Sequence, residues 1–331
     1  MKFNLRRGIL CAVLALFLLT GASAALFSSG KKNVAQTSEE MPIPQNQTLN
    51  TYKDVALYGQ LTAVEKDSEV CSFQLSRKPT KGTMELQEDG SFVYLPKEGK
   101  TGNDRFQFTV TDTKGNTSAA AEVSITVQRR KSGVSYRDMA GNPAHAAAQT
   151  LAEKGIFVGT KVGEGYYFQP DAPVSRGEFL AMAMTMAGMQ TLENVMMTGF
   201  YDDESIPVWA KSYVSTALKN GIVLGIDTGE GVIFNSDGNI TSMEAATVLN
   251  RILQVSDVDL CAVFGEESGV PDWAAQAVAN MTSVSVMAAD DFSEFELRQT
   301  VSRAEAAQML AAAMEVLDSQ KQKKSFLDWL L

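Results

Sequence analysis

Two arginines occupy the same place in a repeated phrase, and their residue type and position suit anion binding. Arg176 lies in residues 174–178 (VSRGE), and Arg303 lies in residues 301–305 (VSRAE). Each phrase precedes an apolar run with helical spacing, so each arginine falls in a first helical turn, where the dipole disfavours a cation by about 0.3 to 1 kcal/mol. A guanidinium beside free helix N–H groups can bind a carboxylate through two hydrogen bonds. The repeated arginines therefore predict an acid-binding site, with a surface salt bridge as the competing interpretation.

A hydroxyl residue and a glutamate flank the arginine position in three copies of the phrase. The middle copy, residues 240–244 (ITSME), has Ser242 where the other two copies have arginine. The hydroxyl residue precedes the helical run and the glutamate follows three residues later, which is the pattern of a capping box. The pairs are Ser175 with Glu178, Thr241 with Glu244, and Ser302 with Glu305. Capping explains the hydroxyl and the glutamate but does not explain the arginines.

The phrases belong to a longer unit that recurs three times after the basic linker at residues 129–133. Residues 155–159 (GIFVG) and 221–225 (GIVLG) are equivalent, and residues 285–289 (SVMAA) are a weaker third copy. A phenylalanine stands six residues before the Val or Ile of each phrase; these are Phe168, Phe234 and Phe295. One unit is therefore a helix, a tight turn, a loop and a second helix.

Two tryptophans begin the first helix of the second and third units. Trp209 and Trp273 stand where the first unit has Pro143. The apolar residues that follow each tryptophan at helical spacing predict that its side chain packs in the core. A platform on which a ligand stacks is the alternative interpretation.

Composition excludes several classes of function. The 331 residues include 29 Lys and Arg against 39 Asp and Glu, for a net charge of -10, so nucleic acid is not an expected partner. His145 is the single histidine of the chain, which leaves no basis for a histidine-centred triad or a multi-histidine metal site. The sequence contains no Walker loop, GxSxG or GxGxxG motif. We therefore expect no enzyme activity, no catalytic residue, no metal and no cofactor.

The N-terminal segment has the features of a secretory signal. Residues 1–24 contain the pair Arg6-Arg7, an apolar run over residues 8–20 and a small-residue cleavage site at residues 22–24. Residues 25–50 are polar and unpatterned, which predicts a linker. Export permits disulfides, but Cys71 and Cys261 fall in different predicted domains, so both are predicted to be buried free thiols.

Between residues 51 and 128 the apolar residues alternate with polar ones. Short alternating runs separated by turn residues, including the hairpin signal Asp89-Gly90, predict a β-sandwich. Asp89, Asp104 and Asp112 are interpreted as turn-forming acids, with calcium binding as the weaker alternative. On its turn and core residues this segment resembles the bacterial cadherin-like or immunoglobulin-like repeats of surface proteins. The resemblance implies a spacer or an adhesion module.

The three helical units resemble the S-layer homology family over about residues 134–317, because three spaced copies of its Thr or Ser, Arg, Ala, Glu signature are present, with Ser242 replacing the arginine in the middle copy. The resemblance implies an all-α, pseudo-threefold trident with grooves between neighbouring repeats. It also implies noncovalent attachment to cell-wall polysaccharide, often a polymer bearing pyruvate ketals, with the arginine of the motif contacting the acidic group.

Departures from the family pattern predict that the grooves are unequal. Arg176 and Arg303 are expected to contribute most of the binding, and the groove containing Ser242 is expected to be weak or silent. Gly159 and Gly225 are expected to let the ligand approach the backbone closely. With Trp209 and Trp273 as possible platforms, these residues form the predicted ligand-binding set.

The chain is accordingly divided into eight segments. They are a signal at 1–24, a linker at 25–50, a β-sandwich at 51–128, a linker at 129–133, repeats at 134–193, 194–256 and 257–318, and a tail at 319–331. The short apolar tail is predicted to dock on the body of the protein, with a membrane surface or a partner protein as alternatives.

These features together predict an exported, nonenzymatic protein of the cell wall and cell surface, in which a β-sandwich is followed by an all-α anchor. Its expected partner is wall polysaccharide, either a secondary wall polymer or peptidoglycan. One alternative is a hydrolase of cell-wall glycan. Another is a surface adhesin or assembly partner, in which the sandwich binds a second surface protein.

Overall fold

The computed structural model describes residues 41–65, 69–264, 269–287 and 297–330. Within these residues the chain divides into two compact units. The first contains residues 58–128 together with 41–54, and the second contains residues 129–330 together with 55–57. The predicted signal and its Cys11 lie outside the described residues.

In the described part of the first unit, every regular element is a β-strand. The strands are β1 (Ile43–Pro44), β2 (Gln47–Tyr52), β3 (Leu57–Gln60), β4 (Ala63–Val64), β5 (Val70–Arg77), β6 (Gly82–Leu86), β7 (Ser91–Pro96), β8 (Gly102–Asp112) and β9 (Ala121–Gln128). A four-stranded sheet has the order β2-β9-β8-β5, a three-stranded sheet has the order β3-β7-β6, and β1 pairs with β4. Strands β2 and β9 are parallel, whereas β8 is antiparallel to both β5 and β9. The N-terminal region is therefore an Ig-like or cadherin-like β-sheet region.

Alternation of apolar and polar residues places the core of this unit as the sequence predicts. Phe106, Phe108 and Val110 on β8 are fully buried, and they alternate with partly exposed neighbours. The predicted hairpin joins β6 to β7, and Gly90 has a φ of 86° in its turn. Strand β2 begins at Gln47, inside the segment predicted as a linker, so the sheet starts before residue 51.

The three aspartates with calcium binding as an alternative role each accept hydrogen bonds from groups of the protein itself. Asp104 accepts hydrogen bonds from the Tyr94 hydroxyl at 2.9 Å and from the Lys81 amide at 2.7 Å. Asp112 accepts from the Asn116 amide at 2.7 Å, and Asp89 accepts from the amide of Ser91 two residues later at 2.8 Å. The bonds of Asp89 and Asp112 fit the turn-forming interpretation, whereas Asp104 is a buried strand residue that links the backbone at residues 80 and 81 to the Tyr94 hydroxyl. The described part of the chain contains no cluster of side chains suited to a metal ion.

The second unit combines helices with small hairpins. Its elements are α1 (His145–Glu153), β10 (Thr160–Val162), β11 (Gly165–Tyr167), α2 (Arg176–Met186), a 3-10 turn (Asp203–Ser205), α3 (Val208–Lys219), β12 (Ile226–Asp227), β13 (Val232–Ile233), α4 (Ser242–Leu253), α5 (Leu260–Phe264), α6 (Asp272–Ser283) and α7 (Arg303–Leu330). The predicted all-α fold is therefore wrong in detail, because the loop of each of the first two repeats forms a two-stranded hairpin. The hairpin satisfies backbone groups that a loop of this length would otherwise expose.

A closed ring of backbone hydrogen bonds joins the three copies of the phrase. The Val174 amide donates to the Val301 carbonyl at 3.0 Å, the Val301 amide donates to the Ile240 carbonyl at 2.9 Å, and the Ile240 amide donates to the Val174 carbonyl at 2.9 Å. These three residues are equivalent positions of the repeated phrase, and each is 1% exposed. The three phrases are distant in sequence, but their buried Val or Ile residues meet, so the helices that follow them start close together.

One prediction about exposure is corrected by this unit. Cys261 is exposed and free, because it lies on the short helix α5, which buries none of its residues. The predicted tail continues α7, in which Gln320 makes a hydrogen bond to the Leu253 carbonyl at 3.0 Å. Residues 321–326 after it are exposed, including Phe326 at 60%, and docking of the apolar end stays a prediction. Of the described helices, none has both the length and the apolar character needed to cross a membrane.

Candidate functional site

The capping boxes place the two arginines at equivalent helix starts. Ser175 Oγ accepts a hydrogen bond from the Glu178 amide at 3.2 Å, and Glu178 Oε2 accepts from the Ser175 amide at 3.0 Å. The same reciprocal pair joins Thr241 to Glu244 and Ser302 to Glu305. All three predicted capping boxes are confirmed. Arg176 and Arg303 are the first residues of α2 and α7, as the spacing predicts.

Arg176 reaches from the first repeat into the second. Its Nε donates to the Phe234 carbonyl at 3.0 Å, and its Nη1 lies 2.6 Å from Oε1 of Glu244. The guanidinium also lies over the Phe234 ring, with Cζ 5.5 Å from the ring centroid. Its side chain is 12% exposed, and that of Glu244 is 25% exposed. The competing salt-bridge interpretation therefore describes this arginine, although the bridge is an enclosed one between repeats.

Arg303 makes the matching contact from the third copy into the first repeat, but with a different set of acceptors. Its Nη1 donates to the Gln169 side-chain oxygen at 2.7 Å and to the Phe168 carbonyl at 3.3 Å. Its Cζ lies 5.2 Å from the centroid of the Phe157 ring. Among the described residues no carboxylate forms an ion pair with this guanidinium. Its positive charge is stabilised by hydrogen bonds to neutral oxygens and by contact with a ring face.

A cavity of about 10 Å³, close to the size that holds one water molecule, is lined in part by Arg303. Phe157, Phe168, Glu178 and Arg303 contribute to its lining, together with apolar side chains of α1, α2 and α7. Glu178 is the equivalent of Glu244 and faces the same space as the arginine without pairing with it. An ion pair therefore joins the first repeat to the second, whereas the described residues show none between Arg303 of the third copy and Glu178 of the first repeat.

Ser242 occupies the arginine position at the third junction. Its amide donates to the Gln299 carbonyl at 3.2 Å, which parallels the bond from the Arg176 amide to Gly238 and that from the Arg303 amide to Ala172. The backbone arrangement thus repeats at all three junctions, while a cationic side chain is present at two. Phe295, the predicted aromatic of this third copy, lies outside the described residues.

Two aspartates that the sequence reasoning missed hold the loops that receive the arginines. Asp138 accepts hydrogen bonds from the amides of Phe168 and Gln169 at 2.9 and 2.7 Å. Asp202 does the same for the amides of Phe234 and the residue after it, at 2.9 and 2.8 Å. Each carboxylate fixes the carbonyl that the arginine contacts. A buried aromatic residue two positions before each aspartate, Tyr136 and Phe200, is the repeated signal that could have identified them.

Gly159 and Gly225 serve the protein's own backbone. Both have left-handed φ angles, of 69° and 85°. A Cβ at Gly159 would collide with the Tyr167 carbonyl oxygen, and one at Gly225 would collide with Val232 and the Phe200 ring. The hairpin strand therefore fills the space that these glycines were expected to leave for a ligand. Their small size lets the hairpin close onto the turn after the first helix of each repeat.

The tryptophans lie on the surface, which corrects the predicted core packing. Trp209 is 51% exposed and Trp273 is 57% exposed, whereas the alanine that follows each of them is fully buried. Because both residues stand at the second position of their helices, α3 and α6, their rings extend beyond the packed face. The structure places them in solvent without bringing them to the guanidinium groups through any described contact.

Comparisons with known proteins agree with these two kinds of structure. The family described as bacterial cadherin-like domain matches residues 31–129, and the family described as S-layer homology domain matches residues 135–180 and 199–246. The matched residues cover the first two repeats. The third repeat remains a prediction from its phrase at residues 301–305.

Three relatives are similar over parts of this chain. Exoglucanase XynX of Acetivibrio thermocellus is 26% identical over 216 residues, which are 63% of this chain and 19% of that protein. Amylopullulanase of Thermoanaerobacterium thermosulfurigenes is 37% identical over 97 residues, or 28% of this chain and 5% of that protein. The Surface-layer 125 kDa protein of Lysinibacillus sphaericus is 27% identical over 128 residues, or 38% of this chain and 10% of that protein. The chain thus spans a fifth or less of each of these relatives. From these matches and the fold, the chain contains a bacterial cadherin-like domain followed by an S-layer homology domain with two matched repeats.

Proposed function

We propose that this chain is an exported, nonenzymatic anchor that holds a cadherin-like domain on the bacterial cell wall without a covalent bond. Its S-layer homology repeats would bind an acidic wall polysaccharide. Relatives that are named as a surface-layer protein and as polysaccharide-degrading enzymes share this region, and each of them has a much greater length. The shared part is therefore better suited to attachment than to the chemistry of any one of them.

The observation that carries the proposal is the position of Arg303. Its guanidinium lies at a helix start and makes hydrogen bonds to neutral oxygens only among the residues described, and Arg303 also contributes to the lining of a small cavity. A carboxylate of a ligand would replace a neutral amide oxygen with a charged acceptor. A hydrogen bond to a charged group contributes about 1.5 to 3 kcal/mol, which is enough for a weak site. Several weak contacts along one polymer would then add through effective concentration.

The ring of hydrogen bonds supports a pseudo-threefold arrangement of the repeats. Equivalent residues donate in one direction around the ring, and equivalent amides bond across all three junctions. We propose that the grooves of a trident lie at these junctions and that a polymer contacts more than one of them. Exposed Trp209 and Trp273 are proposed to contact sugar rings, since half of each side chain remains in solvent.

The experiment that tests the proposal compares Arg303→Ala with the wild-type chain in cosedimentation with purified Gram-positive cell walls. We expect the variant to bind about tenfold or more weakly, since one charge-assisted contact is lost. Arg303→Ala combined with Arg176→Ala should bind at least as weakly as Arg303→Ala alone. Arg77→Ala is the matched control, because it removes one exposed guanidinium from the sandwich and should bind like the wild type.

The same assay distinguishes the other functions. Walls whose secondary polymer has been removed by acid should no longer retain the protein, whereas retention on them would point to peptidoglycan itself. Release of sugar from the walls into the supernatant would favour a hydrolase. If the Arg303 variant sediments as well as the wild type and the Arg77 control, the assigned site is wrong.

A further inference from the structure

We propose that Glu244 already occupies the Arg176 site as an internal acid, so that the ligand's acidic group binds mainly at Arg303. This inference rests on the proposed function and specifies which of the two arginine sites is open. The two sites are equivalent in sequence and in backbone, so the difference between them lies in side chains contributed by the next repeat.

At the Arg176 site, one glutamate has two roles. Oε2 of Glu244 accepts the Thr241 amide at 3.0 Å and completes the capping box, while Oε1 lies 2.6 Å from Arg176 Nη1. Both side chains are mostly enclosed, at 12% and 25% exposure. A carboxylate fixed by a helix cap is held in place before any ligand arrives, so it competes at a high local concentration.

At the Arg303 site, the equivalent glutamate does not reach the arginine. Glu178 accepts the Ser175 amide through Oε2 at 3.0 Å, and the described residues give it no ion pair with Arg303. The guanidinium lies over Phe157 and is bound by the Gln169 side chain.

The second repeat differs at both of the positions that hold Arg303. It has Val223 where the first repeat has Phe157, and Asn235 where the first has the longer Gln169. Without the ring and the longer amide, Arg176 lies over Phe234 and turns to Glu244 instead. Phe157 and Gln169 therefore determine that the site of the first repeat remains open.

The two sites would respond differently to the same acidic sugar. At Arg176 the ligand must displace a carboxylate, which leaves the partly enclosed Glu244 without its partner, and such unpaired charges are costly. At Arg303 it displaces the neutral oxygen of Gln169, whose side chain is free to move to solvent. Binding at Arg303 is therefore favoured over binding at Arg176.

The test removes the internal acid without removing the cap. Glu244→Gln keeps the capping pattern, in which Gln also serves at this position, and removes the negative charge. Glu305→Gln is the matched control, because Glu305 has the same capping role but stands in the repeat whose junction has Ser242 instead of arginine. Both substitutions are made in the Arg303→Ala background, in which Arg176 is the remaining arginine of the two. The probe is purified cell walls that carry their acidic secondary polymer.

In the Arg303→Ala background, we expect Glu244→Gln to strengthen wall binding at least about fivefold and Glu305→Gln to leave it unchanged. In the wild-type background, Arg176→Ala should change binding by less than about twofold, whereas Arg303→Ala should weaken it about tenfold. Equal behaviour of the two glutamine variants, or an equal loss from the two arginine variants, would overturn the inference. If the wild type itself fails to sediment with walls, the proposed function fails instead.

A folding defect in Glu244→Gln is recognised by circular dichroism. In that case the comparison of Arg176→Ala with Arg303→Ala decides the matter alone, because it requires no change at the capping glutamate. A further readout is the stability of the ligand-free protein. Arg176→Ala should lower its free energy of unfolding more than Arg303→Ala does, since only the former removes a carboxylate's partner.

Discussion

At the scale of residues, the chain shows how one side chain takes different roles at equivalent places. Arg176 and Arg303 share a helix start, a carbonyl acceptor and an aromatic neighbour, yet one pairs with Glu244 and the other with Gln169. The acid-binding interpretation and the salt-bridge interpretation, which the sequence left open, therefore apply to different copies. Of the two arginines, Arg176 is paired with a carboxylate, whereas Arg303 contacts neutral groups among the described residues.

A second enclosed pair makes stability depend on pH. Lys211 Nζ lies 2.6 Å from Asp203 Oδ2, with side chains 13% and 14% exposed. The hydrogen bond from Lys211, followed by those from the Thr198 amide and hydroxyl, lowers the pKa of Asp203 to about 2. Because the folded pKa lies below that of the unfolded chain, the pair's stabilisation is present above about pH 4 and is lost as the pH falls toward 2.

Asp203→Asn should therefore lower the free energy of unfolding of the helical unit at pH 7 by about 1 kcal/mol, allowing for residual exposure of the pair. The difference from the wild type should shrink between pH 4 and pH 2. Urea unfolding followed by tryptophan fluorescence measures it, because all three tryptophans lie after residue 128. Asp171→Asn, at an exposed position, is the control and should unfold like the wild type at each pH.

At the scale of elements, each of the first two repeats depends on a hairpin that closes onto the turn after its first helix. The hairpin of the first repeat pairs Thr160 with Tyr167 and brings the Tyr167 carbonyl against Gly159. The loop that follows is fixed by Asp138, which accepts a hydrogen bond from the Gln169 amide; that amide belongs to the same peptide group as the Phe168 carbonyl that Arg303 contacts. The position of the site thus depends on backbone packing before it depends on any charged group.

Gly159→Ala should destabilise the helical unit by at least about 2 kcal/mol, because its methyl group would strain a left-handed residue and collide with the Tyr167 carbonyl. Gly163→Ala is a matched control within the same hairpin. Gly163 also has a left-handed φ, of 58°, but a Cβ there meets no atom within 4 Å, so its cost should be limited to about 1 kcal/mol. Thermal unfolding of both variants measures the difference, and equal losses would contradict the close-approach explanation.

At the scale of the whole molecule, the helical unit has one apolar core whose buried residues range from Val134 to Ala313. The burial of residues along helix α7 shows how far this core extends. Leu310 and Ala313 are fully buried, whereas residues 321–326 are exposed. The 28-residue helix is therefore a core element over its first half, and its residues 321–326 lie on the surface.

Leu310→Ala should lower the free energy of unfolding of the helical unit by about 2 to 5 kcal/mol, the cost of emptying a well-packed leucine site. Deletion of residues 321–331 should change it by less than about 0.5 kcal/mol, because the residues described there are on the surface. Circular dichroism at increasing urea concentration gives both values. A loss from the deletion comparable to that from Leu310→Ala would mean that the tail supports the core.

Much of the architecture could be predicted from local patterns, because those patterns act through neighbouring residues. Alternation along β8 and β9 placed their buried faces, and the spacing of Ser175 and Glu178 defined a helix start that the structure confirms. The exposure of Trp209 and of Cys261 was not predicted, since composition and spacing do not tell how far a core extends around a helix end.

The sequence by itself determined that this chain has a β-rich region, a set of helical repeats, three capping boxes and an arginine at two of the three equivalent places. Only the tertiary structure decided what each arginine contacts. The reason is that the partners of Arg176 and Arg303 belong to a different repeat, and Phe157 or Gln169 influences a guanidinium only after folding brings the repeats together. Repetition in sequence fixes the backbone of each site, whereas its charge balance depends on side chains from the neighbouring copy.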